Sequence, residues 1–107
     1  MTDLILVRVN CGTAAEADRL GRAAVTQRLA ACANIDAPVT AIYEWQDELH
    51  AEAEYVLWLK TRAELWSPLQ EMLEAAHSYD TPAILKLEVS GSTPAFSTWV
   101  KEQTCVN

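Results

Sequence analysis

Glycine is scarce: the 107 residues contain 3, beside 4 prolines and 1 phenylalanine. So few chain breakers, in a sequence that is 50% hydrophobic, exclude a disordered or loop-dominated chain. What remains is one domain across residues 1–107 with a modest core. Positive charge is also thin. Eight basic residues face 15 acidic ones, for a net charge of -7. Arg8, Arg19, Arg22, Arg28 and Arg62 are scattered along the chain and form no basic stripe. A surface that tracks phosphates needs such a stripe, so nucleic acid and anionic membrane are poor partners. The 3 cysteines, Cys11, Cys32 and Cys105, form no C-x-x-C pair, and their odd number argues against a disulfide framework. The opening MTDLILVRVNCG has no basic n-region, and its apolar run is too short for a signal peptide or a membrane span. The expectation is a soluble, reduced, cytoplasmic protein.

Periodicity supplies the elements. Alternation predicts a first strand over 4–11, with Ile5, Val7 and Val9 on one face and Leu4, Leu6, Arg8 and Asn10 on the other. Gly12 breaks it, and Thr13 with Glu16 forms a capping box that starts a helix running to about Ala31. Ala17, Leu20, Gly21 and Ala24 give that helix a stripe of mostly small residues, suited to lying close on a sheet. A second strand is predicted over Val39–Trp45, beginning as early as Ala33 with an irregularity at Pro38. Gln46 to Ala51 turns the chain, and a third strand covers Glu52–Thr61. Thr61 with Glu64 makes a second capping box, with Ser67-Pro68 as a competing start. Leu65, Leu69, Met72, Leu73 and Ala76 carry a helix to near His77. After the SYDTP turn, AILKLEV is a fourth strand with Ala83, Leu85, Leu87 and Val89 on one face, and Thr93-Pro94 opens a short final helix. The order is β-α-β-β-α-β plus a C-terminal helix. It is the ferredoxin-like split βαβ pattern of the α+β class, with helices on one face of an antiparallel sheet.

The bare sheet face should be polar. Arg8, Asn10, Lys86 and Glu88 fit that expectation, but the third strand has Val56 and Trp58 opposite Leu57 and Leu59. Burying each of those two is worth roughly 1.5–3 kcal/mol, so a symmetric homo-oligomer is the expected cover. The alternative is that the last helix folds back over them through Phe96 and Trp99.

Two residues could carry chemistry together. The end of the first strand should neighbour the start of the fourth, bringing Cys11 and His77 to one end of the sheet. A thiolate lowered in pKa by a helix N-terminus, beside an imidazole, suits copper or zinc. The structural alternative is a small buried cysteine, with His77 at a helix C-terminus. The hairpin acids Glu44, Asp47, Glu48, Glu52 and Glu54 around His50 lack the spacing of a calcium loop and read as a solvated turn. A catalytic set of Cys11, His77 and Asp80 has no oxyanion site or substrate pocket in the local sequence, so no enzymatic role is expected. Cys32 reads as packing and Cys105 as exposed.

Four blocks tie the chain to a family: RLAACANI (28–35), AIYEWQDELHAEAEY (41–55) running into LWLKT (57–61), HSYDTPAILKLEV (77–89), and AFSTWV (95–100). In this order and spacing the chain resembles the CutA divalent-cation tolerance proteins over nearly its whole length. The resemblance implies a ferredoxin-like subunit in a homotrimer, with the long hairpin strands crossing subunit boundaries. It also implies copper or another divalent-metal ligands at Cys11 and at a histidine pair, of which His77 is present while Ala76 holds the first position. Other departures are Ser78, where members often read His-Pro-Tyr, Ala83, where they often read Pro-Glu, and Phe96, where tyrosine is common. The expected function is divalent-cation (copper) tolerance and response to metal ions, with weak copper binding. The alternatives are a trimeric small-ligand sensor resembling PII proteins, or a structural trimeric scaffold. No Gly-rich phosphate cradle supports the former.

Overall fold

The computed structural model describes residues 2–104, so Cys105 lies outside the described residues. Strand β1 (Leu4–Cys11) alternates as its sequence requires, burying Ile5, Val7, Val9 and Cys11 on one face. Helix α1 (Ala14–Thr26) starts at Thr13, whose hydroxyl accepts the Glu16 N–H at 3.1 Å. Glu16 reaches back in turn to the Gly12 N–H at 3.3 Å, one residue further than the standard capping box. The small-residue stripe does what it promises. A Cβ added at Gly21 would lie 3.2 Å from both Ala33 Cβ and Leu57 Cδ1, so α1 sits against the sheet backbone.

The helix stops at Thr26 and does not continue to Ala31. Arg28 takes a left-handed φ of 61°, and Leu29 and Ala30 both donate to the Ala24 carbonyl, which closes the last turn. The apolar run Leu29-Ala30-Ala31 prolongs the helical pattern, but those residues line the approach to β2 (Cys32–Ile35). β2 is separate from β3 (Val39–Trp45), with the break at Asp36-Ala37-Pro38. Ile35 pairs with Leu57 and Val39 with Glu54, so three residues on this side face two on the partner strand, as in a bulge.

β4 runs from Glu48 to Arg62, fifteen residues, and begins four positions before the predicted Glu52. The turn is only Gln46-Asp47, both at positive φ (51° and 64°), as a two-residue type I′ hairpin requires. Neither is glycine. Asp47→Gly should therefore raise stability by about 1 kcal/mol, read as a higher urea midpoint at unchanged slope. A lowered midpoint would mean that the carboxylate makes a contact worth more than its strain.

β4 is the axis of the sheet. β1 pairs with Tyr55–Arg62, β2 with Leu57–Lys60, and β3 with Glu48–Glu54. β5 (Ile84–Glu88) pairs with β1, giving the ferredoxin-like order β2-β4-β1-β5, all antiparallel. α1 and α2 (Trp66–Ala76) cover one face, where Leu20, Leu57, Leu59, Leu69 and Leu73 form the core. A 3₁₀ turn (Ala63–Leu65) leads into α2. The predicted Thr61–Glu64 capping box does not form, because Thr61 remains in the strand and donates its hydroxyl to the Leu29 carbonyl at 2.7 Å.

The faces of β5 are the reverse of the expectation. Register places Ile84, Lys86 and Glu88 beside Val9, Val7 and Ile5 on the helix side, and the Lys86 ammonium lies 5.8 Å from the Trp66 ring centroid. Leu85 and Leu87 share the open face with Arg8 and Leu6. Val56 needs no outside cover, being 1% exposed, and Trp58 donates to Asp36 Oδ2 at 2.9 Å. Helix α3 (Pro94–Gln103) does fold back, but only over one end. Val100 packs with Leu4 and Ala31, and Arg62 donates to the Lys101 and Thr104 carbonyls. Exposed apolar surface is left at Leu85 (54%) and on the hairpin at Ile42 (68%), Trp45 (62%) and Leu49 (77%).

Candidate metal centre

The fold brings Cys11 and His77 together. His77 follows the last turn of α2, its backbone N–H donating to the Leu73 carbonyl. Its ring reaches the last turns of β1, with Nε2 2.8 Å from the Asn10 carbonyl oxygen. Glu16 joins them. One atom each from Cys11, Glu16 and His77 lies within 4.8 Å of the others, and all three residues are buried. Glu16 was legible only as a capping residue; its closeness to the Gly12 break, one position after Cys11, is the signal that could have found it.

Glu16 and His77 are already engaged. The Tyr79 N–H donates to His77 Nδ1 at 3.1 Å, so that nitrogen carries a lone pair and Nε2–H donates to the Asn10 carbonyl. Both ring nitrogens are thus held by backbone groups, with Nδ1 3.8 Å from Glu16 Oε2. Glu16 accepts from Gly12 N–H through Oε1 and from Ser78 N–H through Oε2 at 2.8 Å. Burial raises the Glu16 pKa, but the hydrogen bonds from Ser78 and Gly12 outweigh it and leave the carboxyl below the ordinary glutamate value. The Cys11 thiol is pushed up to about 11 by burial first and then by the Glu16 and Glu54 carboxylates, with Arg19 opposing. The lowered thiolate pKa expected from the helix N-terminus is therefore overturned, first because the thiol is buried and then because Glu16 holds that helix end and adds its own negative charge.

Two further arrangements do not assemble. Asp80 is exposed, and backbone groups rather than Asp80 orient the His77 nitrogens. The hairpin acids form no three-ligand group among the described residues. His50 instead stacks on Tyr43 at 5.2 Å, with Glu52 accepting from the Tyr43 hydroxyl at 3.0 Å. Cys32 is half-buried on β2, its Sγ 3.5 Å from Asn34 Oδ1.

Residues 5–103 match the family model described as CutA1 divalent ion tolerance protein. The chain belongs to the CutA1 family. It is 33% identical over 104 residues to the divalent-cation tolerance protein CutA of Thermus thermophilus, covering 97% of this chain and 99% of the relative. It is 33% identical over 100 residues to the chloroplastic CutA of Arabidopsis thaliana, covering 94% of this chain and 55% of that protein. The chain thus spans about half the length of that plant relative. The crystal structure of CutA1 from Ehrlichia chaffeensis superposes with a TM-score of 0.94 at 32% identity, covering 99% of each chain. The ferredoxin-like α+β fold is the CutA1 fold. No helix among the described residues is long and apolar enough to cross a membrane.

The CutA1 donor set fits a divalent cation by class. Thiol, imidazole and carboxylate together suit copper or zinc better than calcium or magnesium. Spacing also fits, since donors at 4.8 Å need contract by only about 1 Å to reach tetrahedral ligand separations. The cost lies in displacement: a cation must replace the thiol proton and the hydrogen bond on His77 Nδ1, and must compete with the N–H groups held by Glu16.

Proposed function

We propose that this protein serves divalent-cation tolerance as a non-enzymatic homotrimer, cytoplasmic in location, that takes copper weakly at Cys11, Glu16 and His77. The convergence of three different buried donors carries the reading of the site. Weakness follows from the same geometry, because each ligand is already protonated or hydrogen-bonded. The exposed apolar residues of the hairpin and of β5 support self-association. The number three rests on the family resemblance.

Copper titration against a competing chelator tests the site. Cys11→Ala and His77→Ala should each weaken binding at least tenfold. Wild-type affinity should tighten by up to about tenfold per pH unit below the thiol value of about 11, because uptake expels the Cys11 proton. Unchanged affinity in both variants would remove these residues from the metal-binding role.

A further inference from the structure

The Tyr79 N–H and a bound cation need the same lone pair on His77 Nδ1, and the Ser78 N–H points at the Glu16 oxygen beside it. Ser78 N–H donates to Glu16 Oε2 at 2.8 Å, and the next N–H, of Tyr79, donates to His77 Nδ1 at 3.1 Å. His77 Nε2 is held against the Asn10 carbonyl, which leaves Nδ1 as the ring atom that faces Glu16. Two successive backbone N–H groups therefore place partial positive charge where a cation would sit. The Tyr79 ring closes over them. It packs on the His77 ring at 4.9 Å between centroids, and its hydroxyl lies 3.5 Å from Glu54 Oε2. It also rests where only glycine leaves room, since a Cβ at Gly12 would lie 2.7 Å from the Tyr79 hydroxyl.

We propose that the Ser78-Tyr79 turn is a latch that occupies the Glu16 and His77 donors in place of the cation and must open when a cation binds. The inference rests on the metal reading of this site. It predicts an unusual signature, in which ligand binding loosens the chain locally. It also makes Ser78 the residue that sets affinity. The backbone of His77 (φ -75°, ψ 145°) already has the conformation favoured before proline, so Ser78→Pro removes the N–H, and with it the Ser78 hydroxyl that also bears on Glu16, without forcing the preceding residue to move.

Cd²⁺ is the probe, being thiophilic and redox-silent, with the thiolate-to-metal absorption band as the binding readout. Amide exchange of Ser78 and Tyr79 should speed up in wild type on Cd²⁺ binding, while α1 amides do not. Ser78→Pro should bind roughly tenfold tighter or better, the scale of one charge-assisted hydrogen bond no longer to be displaced. Gly12→Ala pushes the Tyr79 ring aside without removing a donor and should shift affinity in the same direction, which keeps the test available if the proline variant folds poorly. Binding by Ser78→Pro alone would also support the latch. Binding lost in Cys11→Ala, but with wild-type affinity in both latch variants and Ser78 and Tyr79 equally protected, would overturn the latch and leave the metal site standing. No Cd²⁺ binding by wild type or either latch variant would overturn both.

Discussion

Replacing Glu16 by alanine should lower stability by roughly 2–4 kcal/mol at pH 7, because buried N–H groups lose an ionised acceptor. Glu16 is 7% exposed and holds together three parts of the fold: the end of β1 at Gly12, the first turn of α1, and the Ser78 turn after α2. Alanine leaves the part-buried Gly12 and Ser78 N–H groups without their charged acceptor. Urea unfolding at one fixed protein concentration measures the effect, since self-association would otherwise add to the midpoint. The sign of the pH dependence follows from the carboxyl's lowered value. Its folded pKa lies below the ordinary 4.5, so its contribution is complete above 4.5 and is lost as pH falls through the lower folded value. The gap between wild type and Glu16→Ala should be widest near neutrality and close on acidification below 4.5. A gap that stayed constant from neutral to strongly acid conditions would show that the charge is not what the surrounding donors need.

The second large effect concerns assembly. Wild type should sediment at about three times the 11.8 kDa chain mass, and Ile42→Asp with Leu49→Asp should bring it to the mass of one chain. Both side chains lie on the hairpin's helix-side face, beyond the reach of α1 and α2, and both are more than two-thirds exposed in the single subunit. Burial of each is worth roughly 1.5–3 kcal/mol per subunit, and a carboxylate in its place adds a desolvation penalty. Circular dichroism should show the fold retained, because neither residue touches the core of Leu20, Leu57, Leu59 and Leu69. A wild-type chain that sediments as a monomer would sink the homotrimer reading.

Much of this architecture was legible in local pattern. Alternation located β1, the Thr13–Glu16 box located the start of α1, and Pro38 marked the break between β2 and β3. On β5 apolar character points to the core, whereas the covered face is fixed by register. Leu85 and Leu87 look like core residues, yet pairing with β1 turns them outward and places Lys86 beneath Trp66. Thr61 looks like a helix cap, but the Leu29 carbonyl, distant in sequence, claims its hydroxyl. Arg28 bears no sign of the left-handed conformation that ends α1. In the site, the pairing of Cys11 with His77 followed from strand topology. Glu16 did not, because its capping role accounts for it locally and only the folded turn after α2 brings Ser78 to its other oxygen. The raised thiol value depends first on burial and then on the Glu16 and Glu54 carboxylates, which only the folded chain brings to Cys11.

The fifteen-residue β4 has a kinetic consequence. Its first half needs only β3, joined to it by a two-residue turn, whereas its second half must wait for β1 from the far end of the chain. Local hairpins close in about 1–10 μs, and pairings between distant segments are far slower. An emerging chain therefore holds the hairpin, with its exposed Ile42, Trp45 and Leu49, well before β1 docks. Cys11 sits at the end of β1 that lands beside Tyr55, the residue next to the hairpin. The surface for self-association is thus made by local pairing, whereas the pocket of donors needs long-range pairing to bring β1 against β4 and His77 against β1.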